Sequence, residues 1–311
     1  MEANEKAISE LFDLDKEHSF VVPQYQRNYS WRREQWEKLF YDITVSDGGH
    51  FFGSFICICM PKTDSTTPTR FELVDGQQRF TTISILICSI YERLSKFKDV
   101  GDDVLTAGRV NLRNSLFIND EPGKSRYTPT EQSDNKADFE HILWSSFGET
   151  YMPGCAERPK NFGNRLIAKC KKYMDEQVSK FETLDEVKKF YSKLNKSSLI
   201  MVVGQNYSQA YVLFETLNNR GIPLSVMDLV KSKLFQKLDA DEEDLSVIFD
   251  QWKTLIDYIP EANIQERFLR HFYNALKDVC VPEVSKKPQA TGATMISIYE
   301  DIIDNDPRQL F

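Results

Sequence analysis

Residues 75–79 read Asp-Gly-Gln-Gln-Arg and stand where an apolar, β-leaning run, TRFELV, gives way to a long apolar helical pattern. Gly76 suits a turn that brings backbone N–H groups close to a ligand. The following helix offers unpaired N-terminal donors and the positive end of its dipole. That outline fits an anion. Arg79 adds a planar fork matched to phosphate, Gln77 and Gln78 add neutral donors and acceptors, and Thr81 and Thr82 add hydroxyls. Two amides beside a guanidinium suit a polyphosphate, or a water that must be oriented for attack. The stretch is not a Walker A loop, because G-x-x-x-x-G-K-[ST] occurs nowhere in the chain. A plainer arrangement uses the same residues: Asp75 accepts backbone N–H bonds at a capped helix start, and Arg79 pairs with a carboxylate. From this stretch alone both arrangements stand.

A second loop, VPQYQRNYSW at residues 22–31, sets Gln24, Tyr25, Gln26, Arg27, Tyr29 and Trp31 within a few positions. Aromatic faces interleaved with amides and a guanidinium can stack a base or hold a backbone phosphate. Tyr and Trp in such loops also plug a core edge with their polar tips wet. Two loops of this kind hung from one small sheet are better explained by a shared pocket than by two separate accidents.

The elements that must carry these loops follow from periodicity. Residues 3–13 place Ala7, Ile8, Leu11 and Phe12 at helical spacing, so a short helix is expected to open the chain. Phe20 to Val22 reads as a brief strand ended by Pro23, and Ser30 suits the N-cap of a helix whose face holds Trp36, Leu39, Phe40 and Ile43. HFFGSFICICM, TRFELV and SSLIMVVG read as strands, while from residue 80 onward the period is mostly helical. The expectation is an α+β protein: a small α/β unit over residues 1–100 that binds nucleotide or DNA, then a helical domain over 101–311.

Composition bounds the rest. The chain has 311 residues and 41% hydrophobic content, enough for a sizeable core. No run of 18 or more apolar residues is present, and the start lacks the layout of a signal peptide, so no membrane span and a cytoplasmic location are expected. The six cysteines are scattered without a C-x-x-C pair or nearby His, which indicates reduced thiols rather than zinc or disulfides. A net charge of −8 argues against a DNA-coating protein, though a local basic face can still act. The candidate face combines Arg165, Lys169 and Lys172 at i, i+4, i+7, with Arg158, Lys160 and Lys171 nearby. Such runs are more often solvated faces.

Further along, LFETLNNRGIPLSVMDLVKSKLF ends one helix near Gly221 and caps the next at Ser225. Asn218, Arg220, Asp228 and Lys231 are candidates to converge on the same pocket, with Asn218 and Arg220 the stronger pair. VPQYQRNYSW, FFGSFIC, ELVDGQQRFTTISILI and this last stretch occur in the order and rough spacing of the N-terminal domain of GmrSD-type, modification-dependent restriction endonucleases. The chain resembles that family from about residue 5 to about residue 275. The resemblance implies a fold similar to the ParB and sulfiredoxin group, in which a Gly-x-x-Arg turn at a helix N-terminus binds nucleotide phosphates. It also implies NTP binding and hydrolysis that license a nuclease, and sensing of modified DNA. Asp75, Gly76, Gln77, Gln78 and Arg79 would then form the nucleotide box. Tyr25, Gln26 and Arg27 would line the same pocket or read the nucleic acid.

In that scheme Arg79 and the helix start hold the phosphates of an NTP with Mg²⁺, Gln77 or Gln78 positions the attacking water, and Asp75 orients the turn or accepts from the water network. Thr81 and Thr82 complete the phosphate side; Tyr29 and Trp31 join Tyr25 in contacting DNA. The sulfiredoxin cysteine is replaced by Gln77 or Gln78, which argues against redox chemistry. Only four widely separated histidines occur, with no ββα-metal pattern, so cleavage of DNA is expected from a separate nuclease domain or subunit. A non-catalytic module that senses modified DNA beside such a nuclease is the alternative. NTP preference and oligomeric state stay open.

Overall fold

The computed structural model describes residues 2–12, 18–23, 26, 28–60, 69–97, 103–118, 123–129, 134–205, 262–280, 289–291 and 294–305, with short pieces between 209 and 259. The chain divides into two compact units, Met1–Val203 and Gly204–Phe311. Sequence patterning placed a boundary near residue 100, whereas packing keeps the helices from 103 to 196 with the sheet.

The α+β expectation holds. The first unit contains strands β1 (Glu2–Ala7), β2 (His18–Val21), β3 (Phe51–Cys59), β4 (Thr69–Asp75), β5 (Tyr127–Thr128) and β6 (Ser198–Gly204), in the order β1-β6-β3-β4-β2-β5. Its helices are α1 (Ile8–Leu11), α2 (Arg33–Val45), α3 (Gln77–Ser95), α4 (Asp103–Leu116), α5 (Asn135–Phe147), α6 (Leu166–Val178) and α7 (Leu184–Lys196). The sheet is mixed: β1 pairs β6 and β3 pairs β4 antiparallel, while β2 runs parallel to both β4 and β5.

Most of the expected opening helix is instead a strand. Glu2–Ala7 pairs antiparallel with β6, Glu2 opposite Val203 and Ala7 opposite Ser198, and only Ile8–Leu11 coils. Local helix propensity is a weak prior, and here it loses to the unpaired backbone groups that β6 would otherwise present at the sheet edge. The apolar residues of the pattern remain inside, with Ile8, Leu11 and Phe12 buried and the Ile8 N–H donating to the Ser197 carbonyl at 2.7 Å. β5, two residues long, was not foreseen because so short a strand leaves no period to read.

Helix α3 is the axis of the unit. A helix that is apolar on nearly every side must be surrounded, and α3 packs against α4, α5, α6 and α7. Its first turn is fastened to the sheet by Phe80, whose ring centroid lies 4.9 Å from that of Phe20 and 5.0 Å from that of Phe55.

In the second unit, α8 (Ala262–Cys280) and α9 (Met295–Asn305) are joined by a Tyr299 hydroxyl donating to the Leu269 carbonyl at 2.8 Å. Among the described residues, no helix is long and apolar enough to cross a membrane.

Candidate functional site

Strands β4, β2 and β5 are parallel neighbours, so their C-terminal ends open on one edge of the sheet. From those ends emerge the Asp75-Gly76 turn, the loop after Val21 and the segment that leads to α5 at Asn135. In open α/β sheets, ligands bind outside the carboxyl ends of parallel strands.

The strand entering the turn is irregular. The β3–β4 ladder slips by one residue, with Ile56 opposite Asp75 but Cys57 opposite Leu73, which leaves Val74 as the extra residue of a bulge. The Val74 carbonyl instead accepts a hydrogen bond from Gln26 Nε2 at 3.0 Å. The next residue but one, Gly76, takes φ +98° and caps α3 without any side-chain hydrogen bond. A Cβ there would come within 2.6 Å of Phe55 Cβ, so the turn lies directly on β3.

Arg79 turns back over this platform. Its Nη1 donates to the Phe52 carbonyl at 2.8 Å and its Nη2 pairs with Asp75 Oδ2 at 3.1 Å. Gly53, at φ +88°, leaves the space that Nη1 fills: a Cβ there would lie 3.1 Å from it. The side chains of Arg79 and Asp75 remain 18% and 28% exposed, within reach of a ligand arriving at the helix start. Arg79 is thus paired with a carboxylate, as in the plainer arrangement, and the pairing also keeps the guanidinium at the helix N-terminus.

The two glutamines have different surroundings. Gln78 Oε1 accepts the backbone N–H groups of Ser30 at 2.7 Å and Trp31 at 3.3 Å, and its Nε2 donates to the Asn28 carbonyl at 3.1 Å. Ser30 therefore does not cap α2; that helix starts at Arg33, and the Arg32 N–H donates to Gln35 Oε1. Among the described residues, the Gln77 side chain has only a 3.5 Å contact from its Nε2 to Gln26 Oε1. Gln78→Ala should accordingly cost about 1–3 kcal/mol in denaturant unfolding by orphaning two backbone donors, and Gln77→Ala less than about 1 kcal/mol. Equal losses would contradict this division of labour.

Beneath the turn the hydroxyls point inward. Thr82 bonds the Gln78 carbonyl and meets the Tyr29 hydroxyl at 2.7 Å, and that hydroxyl accepts from Trp36 Nε1 at 2.7 Å. Thr81 bonds the Gln77 carbonyl and meets the Tyr127 hydroxyl at 2.6 Å. Burial pushes the ionisation of Tyr29 and Tyr127 up, so both phenols stay neutral. Thr81, Thr82 and Tyr29 thus fasten the helix start to the core, and Trp31 packs half-buried against it.

The structure therefore brings Asp75, Gly76, Gln77, Gln78, Arg79 and Gln26 together. Tyr25, Arg27, Asn218, Arg220, Asp228 and Lys231 lie outside the described residues. Of the basic face, Arg165 is committed internally: it donates to both oxygens of Asp138 at 2.5 Å and to Asp134 at 2.8 Å. Lys171 pairs with Glu92 and Asp175, while Lys169 and Lys172 are exposed on α6. Sequence reasoning missed the Phe52 carbonyl, Asn28 and Asn135. Gly53 was the available signal, since glycine inside a strand marks a close approach.

Residues 8–235 match the family described as GmrSD restriction endonuclease, N-terminal domain. No curated protein matches the chain. The match covers most of the chain and includes both loops and the whole of α3. The chain thus belongs to the GmrSD restriction endonuclease N-terminal domain family, and that membership implies a role in a modification-dependent restriction system.

Proposed function

We propose that this chain binds a nucleoside triphosphate with Mg²⁺ at the start of α3 and hydrolyses it, as the regulatory part of a restriction system whose nuclease is a separate domain or subunit. The observation that carries the reading is the pairing of an α3 N-terminus capped by Gly76, which has no side chain to offer its amides, with an Arg79 guanidinium held beside it by a carbonyl and a carboxylate. Phosphate oxygens are better acceptors for that guanidinium than the Phe52 carbonyl, and the helix dipole favours the same charge. The Gly-x-x-Arg spacing of Gly76 and Arg79 supports the likeness to ParB and sulfiredoxin folds.

Mg²⁺ usually keeps several waters and takes one or two carboxylates plus substrate phosphates. Asp75 at the turn supplies one such carboxylate, while the lack, among the described residues, of a carboxylate pair beside it favours the second reading below. Asp75 would hold the ion, which would neutralise phosphate charge. Gln77, whose amide is the less engaged, would align the attacking water. Exposed Lys169 and Lys172 are the candidates for DNA backbone contact.

A second reading has its own support. The Gln78 amide is fully turned onto the 28–31 backbone, which suits a loop shaped for recognition of modified DNA rather than hydrolysis. One experiment separates the two: phosphate release from ATP, GTP, CTP and UTP with Mg²⁺, with and without DNA, for the parent and Arg79→Ala. Hydrolysis predicts a drop of about 10²-fold or more in kcat/KM for the variant. An unchanged rate overturns the nucleotide site. Absent turnover, with modified-DNA binding that needs Arg79, establishes the sensor instead.

A further inference from the structure

We propose that Asn135, the first residue of α5, is a positioning residue that holds the 28–31 loop at a set distance from the start of α3 and thereby tunes the nucleotide affinity of the site. The loop is gripped from two sides. On one, Gln78 takes the Ser30 and Trp31 N–H groups and donates to the Asn28 carbonyl. On the other, Asn135 Nδ2 donates to Asn28 Oδ1 at 3.1 Å, and Asn135 is 6% exposed. Asn28 is therefore bonded through its main chain to one helix and through its side chain to another.

The second grip is itself immobilised. Asp134 sits at φ +61°, a left-handed conformation that a residue with a Cβ holds only when its surroundings over-determine it. Those surroundings are Arg165, which donates to Asp134 at 2.8 Å and, one turn further on, to Asp138, whose side chain is fully buried. β5 delivers the chain to this point parallel to β2, which delivers the loop, and β2 is parallel to β4, which delivers the turn. Two neighbouring strand ends thus lead to the turn and the loop, and Asn135 at the start of α5 meets that loop. Arg165, a sequence candidate for touching DNA, serves here by anchoring the start of α5.

The effect on affinity rests on the nucleotide reading above, while the positioning itself does not. The test uses the full chain and two readouts, amide hydrogen exchange at Ser30 and Trp31 and the Kd for each nucleoside triphosphate with Mg²⁺. Asn135→Ala is expected to speed exchange at these two amides about tenfold, the worth of one hydrogen bond, with the amides of residues 83–94 unchanged. Nucleotide Kd is expected to rise by a similar factor. Asn28→Ala, which keeps the backbone bond to Gln78, should lose at least as much as Asn135→Ala, and the double variant should add nothing to Asn28→Ala. Additive effects, unchanged exchange at Ser30 and Trp31, or exchange that quickens equally along α3 would each overturn the proposal. Quickened local exchange in a protein that binds no nucleotide would leave the positioning role standing and refute the nucleotide reading alone.

Discussion

Replacing Arg165 with alanine is expected to lower the unfolding free energy by about 3–5 kcal/mol near neutral pH, because a buried charge that loses its partner is strongly destabilising. The stranded partner is Asp138, whose side chain is 0% exposed and whose two oxygens both receive Arg165 at 2.5 Å. Burial already raises the Asp138 pKa, and the Arg165 hydrogen bonds and charge pull it back. Without Arg165 the raising influence is left with little opposition. An acid whose folded pKa lies above its unfolded one favours the fold in its protonated form. That stability is present below the unfolded pKa and lost as pH rises through the folded one. The deficit of the variant should therefore be largest at neutral pH and shrink on acidification toward the ordinary carboxylate range. Urea unfolding at a series of pH values measures it. A deficit below about 1 kcal/mol, the range of an exposed pair, would show that this ion pair is not the buried anchor described.

The second large effect is expected at the turn. Gly76→Ala combines a left-handed φ of +98° with a Cβ placed 2.6 Å from Phe55 Cβ. Backbone strain of this kind costs about 1–3 kcal/mol and overpacking a further 1–3 kcal/mol, so a loss of about 2–6 kcal/mol is expected. Neither side can give way easily, since Phe55 belongs to β3 and its ring is locked against Phe20 and Phe80. Gly148 takes φ +82° with ψ −177°, a region open essentially to glycine alone, and nothing lies within 4 Å of an added Cβ there, so Gly148→Ala should carry backbone strain without overpacking. Thermal unfolding of Gly76→Ala measures the loss at the turn, and one below about 1 kcal/mol would remove the close approach from the account.

Much of this site was legible in advance, and the limits have physical causes. Asp75 to Arg79 could be placed at a strand-to-helix turn because the period changes from two to 3.6 there, and Gly76 announced the left-handed cap. What could not be read was side-chain direction. Gln77 and Gln78 are adjacent and chemically identical, yet Gln78 grips a loop 48 positions away while Gln77, among the described residues, has a single long contact. Thr81 and Thr82 looked like phosphate ligands because hydroxyls at a helix start often are, whereas Tyr127 and Tyr29 claim them from below. Arg165 and Lys169 stand four apart on one apparent stripe, but two acidic residues on α5 and just before it draw only Arg165 inward. Each of these outcomes depends on a partner distant in sequence. The opening strand is the same lesson at the level of the backbone, its conformation decided by residues 198–203.

That strand has a consequence for how the protein is made. Glu2 pairs with Val203, so this segment leaves the ribosome about 200 residues ahead of its partner and must wait for it. At roughly 5–20 residues per second, the wait is on the order of 10–40 s. An apolar strand left unpaired for that long would invite association with neighbouring chains. Glu2, Asn4, Glu5 and Lys6 make this segment polar enough to remain solvated until β6 arrives. The composition that disguises β1 as a helix is also what lets it wait for a partner made much later.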